Sequence, residues 1–158
     1  MTRVTGSKKR FERTTFIAAP AARVFEFFAA PANLARITPP RMRFRILGGP
    51  ARNLRQDDRI RYALRVFGLP VRWTTRITIW RDGEVFADLQ ERGPYRYWLH
   101  THTFREVAGG VEMHDEVEYE LPFGLLGDLV AGRLVARQLA EIFDYRARVI
   151  AEVFPPPR

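Results

Sequence analysis

The stretch Phe86–Phe104, FADLQERGPYRYWLHTHTF, decides how this chain is read. The turn residues Arg92-Gly93-Pro94 divide it into two strand-like arms. On the second arm Trp98, His100, His102 and Phe104 share one face, and Tyr97, Leu99, Thr101, Thr103 and Arg105 share the other. Two large aromatic residues flank the histidines, so theirs is taken as the inner face. With the turn centred on Gly93-Pro94, Asp88 falls opposite or diagonal to His100, and Phe86 falls near His102.

Downstream, Ala108-Gly109-Gly110 leads into Val111–Leu121, where Val111, Met113, Val117, Tyr119 and Leu121 lie on one face. Glu112, His114, Glu116, Glu118 and Glu120 lie on the other, as in an antiparallel strand with one solvated side. Asp115 is the one polar residue on the apolar face. A buried carboxylate needs a partner, and His100 or His102 can supply it. Three polar residues from adjacent strands therefore converge on an apolar wall.

Upstream, Trp73, Thr75, Ile77 and Ile79 alternate with Arg72, Thr74, Arg76 and Thr78 over Val71–Arg81, and Asp82-Gly83 is a hairpin signal. Ile60, Tyr62, Leu64 and Val66 mark the strand before it, and Met42–Leu47 another. Phe11–Ala18 reads as a first strand, residues 20–30 as a short helix opened by Pro20, and Ala32–Ile37 as a second short helix stopped at Thr38-Pro39-Pro40. After Pro122-Phe123-Gly124 the period is helical to about Phe154. Leu126, Leu129, Val130, Leu134, Ile142, Phe143, Val149, Ile150 and Val153 read as one continuous apolar stripe, with Arg137, Glu141, Asp144, Arg148 and Glu152 opposite. A helix on the order of 40 Å long must bury such a stripe, and the one-sided sheet is the only partner of sufficient length. The expected fold is α+β: a curved antiparallel sheet of about seven strands wrapped around a long C-terminal helix, with two short helices after the first strand. Residues 10–154 are expected to form a single domain, with tails at 1–9 and 155–158.

The chain has 158 residues, 46% of them hydrophobic and 28% charged, an ordinary globular composition. It lacks an apolar run of the roughly 20 residues that a membrane span requires. Neither a signal peptide nor integral membrane association is expected, and a cytoplasmic location is. No cysteine is present, which excludes disulfides and thiolate chemistry. The net charge of +8 comes from arginines, with Lys8 and Lys9 the only lysines. These arginines are dispersed, without a basic helix or a nucleic-acid motif, so no nucleic-acid partner is expected.

Several strings resemble one family: Thr38-Pro39-Pro40, Phe86-Ala87-Asp88, Gly93-Pro94-Tyr95, Trp98–Phe104, Asp115-Glu116-Val117-Glu118-Tyr119 and Ile142-Phe143-Asp144-Tyr145-Arg146. With the order of elements, they make the chain similar to the START-like helix-grip superfamily, also called SRPBCC, from Phe11 to about Phe154. More narrowly it resembles a bacterial ligand-binding branch related to polyketide cyclases and dehydrases, sometimes fused to a nucleotide-sugar-epimerase-like domain that this sequence lacks. The resemblance implies a hydrophobic cavity between sheet and helix and no fixed catalytic set.

Three readings of the polar cluster stay open. It is a buried hydrogen-bond network at the polar end of an apolar pocket; or His100, His102, Asp88 and Asp115 do acid–base work beside a ligand carbonyl, as a cyclase or dehydratase would; or the His-x-His strand with Asp115 holds a metal. Binding or carriage of a small lipid-like or polyketide-like molecule is the leading expectation, with no cofactor or resident metal. A partner-regulating domain with a filled interior is a further alternative. Tyr62, Trp73, Phe86, Trp98, Phe104, Met113 and Tyr119 are the expected ligand walls. Arg146 is expected to reach the cavity or to lie along apolar surface with a solvated head. No glycine-rich, phosphate-cradling loop is read, which disfavours a nucleotide, and the chain is expected to be a monomer or homodimer.

Overall fold

Strand β7, Gly110–Glu120, alternates fully buried and half-buried residues along its whole length, and it fixes which face of the sheet is inside. The computed structural model describes residues 8–157, so most of the expected N-terminal tail and Arg158 lie outside the described residues. Seven antiparallel strands run in the spatial order β1-β7-β6-β5-β4-β3-β2. In chain order they are β1 Lys9–Ile17, β2 Arg45–Gly48, β3 Arg59–Val66, β4 Leu69–Arg81, β5 Val85–Arg92, β6 Tyr97–Val107 and β7. Helix α1, Ala21–Ala29, follows β1, and helix α2, Gly124–Val153, closes the chain. Thirty residues of helix extend about 45 Å, enough to cross the sheet.

Pairing follows the alternation. Asp88 stands opposite His100 and Phe86 opposite His102. His100 stands opposite Val117 and His102 opposite Asp115. The β5–β6 ladder ends at Leu89 and Leu99. Beyond it the Gln90 side chain takes over, donating to the Tyr95 carbonyl at 2.7 Å and accepting from the Tyr95 N–H at 3.3 Å. The hairpin loop is therefore wider than its Gly93-Pro94 core implies. In α1, Val24, Phe25 and Phe28 are buried as their spacing requires. Phe25 sets its ring edge-on to Trp80, Phe86 and Phe104.

Four expectations are corrected. The helix expected over Ala32–Ile37 is only a 3-10 turn at Pro31–Asn33, followed by irregular turns. The N–H groups of Asn33, Leu34 and Arg36 bond three residues back, and Pro39 and Pro40, which carry no N–H, cannot extend the segment into a longer helix. The strand expected from Met42 starts at Arg45, because Pro40–Met42 forms a second 3-10 turn that buries Met42 and ends in left-handed Arg43. In β4 the pairing register shifts between Ile77 and Ile79, so Ile79 turns outward and Trp80 packs inward on Phe25 and Phe86. The single apolar stripe of α2 is really two. Val135, Leu139, Phe143 and Ile150 face the sheet, while Leu126, Leu129, Val130 and Leu134 are exposed. Both sets repeat at helical spacing, but they lie on different sides of the cylinder.

Candidate functional site

Between the sheet and the second half of α2 lies a cavity of about 140 Å³. That is close to the roughly 150 Å³ space known to accept a single benzene ring. Its wall is mostly apolar, with an aromatic side built by Tyr62, Trp73, Tyr95 and Trp98. These rings brace one another: Tyr62 stacks on Trp73 at 5.9 Å, and Trp73 meets Trp98 edge-on at 5.3 Å. They come from β3, β4, β6 and the β5–β6 loop, so the wall depends on the register of four chain segments.

The polar side is Asp88, His100, His102 and Arg146, all lining the cavity, with Asp115 behind the histidines. His100 Nε2 is 2.8 Å from Asp115 Oδ1, and His102 Nε2 is 3.2 Å from Asp88 Oδ2. His102 Nδ1 also lies 2.9 Å from Asp115 Oδ1, but out of line for a hydrogen bond, so the contact is one of charge. Thr75 Oγ1 contributes a contact to Asp88 Oδ1 at 3.3 Å. The two imidazoles sit 3.8 Å apart, and His102 stacks on Phe86 at 4.4 Å. Arg146 places its guanidinium over the Phe143 ring at 4.7 Å and brings Nη1 to 3.9 Å from Asp115 Oδ1.

Electrostatics divide the two histidines. Burial pushes the His100 pKa down, the neighbouring His102 charge adds to that, and the hydrogen bond to Asp115 does not overcome them. Burial also opposes charge on His102, but two carboxylates, Asp115 and Asp88, outweigh it and raise its pKa. Burial alone would raise Asp115 and Asp88; hydrogen bonds and charge from the histidines reverse this and hold both below the ordinary carboxylate range. Arg146 is lowered by burial yet remains the strongest base of the group, opposed by Asp115 and Asp88. The directions favour positive charge on Arg146 and His102, facing the two carboxylates, and the neutral form of His100. In that state His100 Nε2–H donates to Asp115 and its Nδ1 keeps a lone pair, 3.9 Å from Asp88 and beyond hydrogen-bond reach.

Among the described residues four buried nitrogen atoms around this cavity have no hydrogen-bond partner: Arg146 Nε, Arg146 Nη1, Trp73 Nε1 and His102 Nδ1. A buried donor without a partner costs about 1–3 kcal/mol, more when charged, so these atoms call for an acceptor from outside the chain. Asp88, His100 and His102 also bring one potential metal-ligand atom each within 4.8 Å of one another. Both Nε2 atoms already face carboxylates, however, and the Arg146 charge beside them opposes a divalent cation.

The sequence profile of the family described as polyketide cyclase / dehydrase and lipid transport matches residues 8–153. The chain belongs to this family. Membership supports binding of a hydrophobic ligand or cyclase activity. No curated protein matches the sequence. Among solved structures, a START superfamily protein from Mycobacterium smegmatis shares 12% identity over 92% of this chain and 96% of its own, with a TM-score of 0.70. The Zhui aromatase/cyclase from Streptomyces sp. R1128 shares 23% identity over 92% and 93% of the two chains, with a TM-score of 0.63. A nucleoside-diphosphate sugar epimerase from Corynebacterium glutamicum shares 24% identity over 90% of this chain but only 28% of its own, with a TM-score of 0.68. At these identities the likeness is one of fold, the START-like helix-grip. No helix among the described residues is long and apolar enough to cross a membrane.

Within this family fold, the structure brings Asp88, His100, His102, Tyr62, Trp73, Phe86, Trp98 and Arg146 to the cavity. Phe104, Met113 and Tyr119 share the inner face but do not line it. Phe104 and Met113 pack under α1 with Ile17 and Phe25, and Tyr119 packs with Val117, Leu121 and Val135. His114 is on the outer face, with Nδ1 3.0 Å from Thr14 Oγ1. Thr75 and Gln138 line the cavity without having been singled out from the sequence. Both carry the signal that marked Asp115: a polar side chain at an inward position of an otherwise apolar face.

Proposed function

We propose that this protein binds a small, neutral, largely apolar molecule whose oxygen accepts hydrogen bonds from Arg146, with Trp73 offering a second donor on the aromatic wall. The carrying observation is the set of buried, unpartnered donors around an otherwise apolar cavity. Cavity volume sets the scale: one ring fits the space as it stands, and a longer ligand requires the wall to open. Charge sets the class. Asp115 and Asp88 already face the cationic groups of this site, Asp115 with Arg146 Nη1 at 3.9 Å and Asp88 with His102 at 3.2 Å, so an added carboxylate would meet two like charges in a buried site, whereas a ketone, ester or ether oxygen would not. The test is calorimetric titration with two probes of matched size, acetophenone and benzoate, beside extraction of freshly purified protein. Preference for acetophenone supports the reading. Preference for benzoate, or no binding together with an empty extract, overturns it.

A second reading rests on the Asp115–His100 pair. A carboxylate fixes one imidazole nitrogen of a neutral histidine and leaves the other a base beside the cavity, the arrangement needed to remove a proton next to a ligand carbonyl. Under this reading the protein is a cyclase or dehydratase. A His100→Ala variant then keeps ligand affinity and loses turnover of a bound poly-β-ketone probe.

A further inference from the structure

The first half of α2 has no counterpart in the cavity, and its exposed side is apolar. Phe123 is 85% exposed and Leu129 84%, and Leu126, Val130 and Leu134 are exposed with them. A monomeric surface rarely gathers so many large apolar side chains without a binding purpose. The β3–β4 turn adds to this face: Phe67 and Leu134 line one groove, together with Arg65 and Arg137. Phe67 and Phe123 share a second property. Both adopt left-handed backbone, φ 50° and 66°, a conformation that bulky residues avoid and that glycine takes freely. Phe67 occupies the tip of a two-residue turn with Gly68, where a small residue would serve the backbone better. In both places the strain holds a phenyl ring out into solvent.

The charges of this face that lack an ion-pair partner among the described residues are basic. Arg65 and Arg133 are exposed, and neither forms an ion pair among the described residues. The nearby acids are engaged: Asp128 lies 3.6 Å from Lys9, and Glu141 is held by Arg41 at 2.8 Å and by Arg137 at 3.1 Å. A second copy of the same face would set arginine against arginine. An anionic surface with an apolar interior complements both features at once. We propose that the first half of α2 and the β3–β4 turn dock this protein on an anionic lipid bilayer, with Phe67, Phe123, Leu126 and Leu129 entering the interface. Met42 and Gln138 line both the groove on this face and the ligand cavity. Docking there would place the partition between cavity and solvent against the membrane, where an apolar ligand would enter or leave without crossing water. The proposal stands independently of which ligand the cavity takes.

The test is sedimentation of the full chain with vesicles of phosphatidylcholine alone and of phosphatidylcholine and phosphatidylglycerol in equal parts. Binding to the anionic vesicles is expected, about tenfold or more above neutral ones at low salt and weakened as salt rises. The Leu126→Glu/Leu129→Glu double variant is expected to lose that binding by about tenfold or more while keeping the wild-type Tm, since both residues are exposed. Phe67→Gly gives the sharper control: it should bind vesicles less yet melt at a higher temperature, because glycine relieves the left-handed turn. No binding of wild type to the anionic vesicles, or unchanged binding by the double variant, overturns the proposal. So does a wild-type dimer in sedimentation equilibrium that the double variant dissolves, which would make a second copy the occupant.

Discussion

The polar cluster and the aromatic wall line the same cavity but tolerate change on different terms. In the cluster, Asp88, Asp115, His102 and Arg146 form a closed balance of buried charge, and removing one member strands the others. In the wall, Tyr62, Trp73, Tyr95 and Trp98 hold one another by ring contacts, where a ring of similar volume replaces another at small cost. The cluster is held by directional contacts between charged groups, the wall by ring packing alone. Such a division suits a site that orients one atom of a ligand and is permissive toward the rest.

The largest expected effect is that of Asp115→Ala. It leaves His102 and Arg146 buried without their shared counter-charge and should lower unfolding free energy by about 3–5 kcal/mol in urea denaturation. A loss below about 1 kcal/mol would erase the distinction between the two regions. Next comes Arg146→Met, which keeps an apolar stem and deletes the unpartnered donors. Affinity for acetophenone should fall by about ten- to a hundredfold, the worth of a hydrogen bond to a charged group. Trp73→Phe should change stability by less than about 1.5 kcal/mol and weaken the same probe only a few-fold, of the order of one neutral hydrogen bond. An effect of Trp73→Phe equal to that of Arg146→Met would show that the wall orients the ligand as well.

The smallest effects lie in pH dependence. Asp115 and Asp88 sit below their ordinary pKa of 3.8, so the stability they contribute is present above that value and lost as pH falls through their folded pKa. His102 sits above its ordinary 6.5, so its contribution is complete below 6.5 and lost as pH rises through its folded pKa. His100 sits below 6.5, and its contribution is present above 6.5 and lost as pH falls through its folded pKa. Near neutrality the two histidines therefore oppose each other. From pH 7 to pH 5 a His102→Asn variant, left with the His100 contribution alone, should lose more Tm than the wild type.

How much of this was legible in the sequence depends on period. A period of two puts Asp115, His100 and Asp88 on inner faces without ambiguity, and a carboxylate among Met113, Val117 and Tyr119 announces a partner. The pairing of Asp88 with His100 followed from the turn position, even though Gln90 widens the loop. In α2 the helical period is real, but its apolar positions divide between two sides of the cylinder. Leu126 to Leu134 and Val135 to Ile150 are each apolar at spacings of three and four, and merging them hid an exposed face. Arg146 has two readings in the sequence, because a long side chain can bury its stem or its head. Only its neighbours Phe143 and Asp115 fix which. The bulge that turns Ile79 outward carries no local mark, since Asp, Gly and Pro are all absent from Trp73–Trp80.

The pairing of β1 with β7 sets an order of events during synthesis. Ile17 ends the first strand and Gly110 begins its partner, so β1 leaves the ribosome about 90 residues before the edge it belongs to exists. At ribosomal speeds of about 5–20 residues per second that is a wait on the order of 5–20 s. Through it, Lys9-Arg10-Phe11-Glu12-Arg13 would stand as an unpaired strand, a template for any other chain nearby. Four charges in those five residues make foreign pairing unfavourable, and the same residues later meet Glu116 of β7 and Asp128 and Asp144 of α2 in the folded chain. The charges on β1 thus serve first as a guard for the nascent chain and afterwards as a clasp.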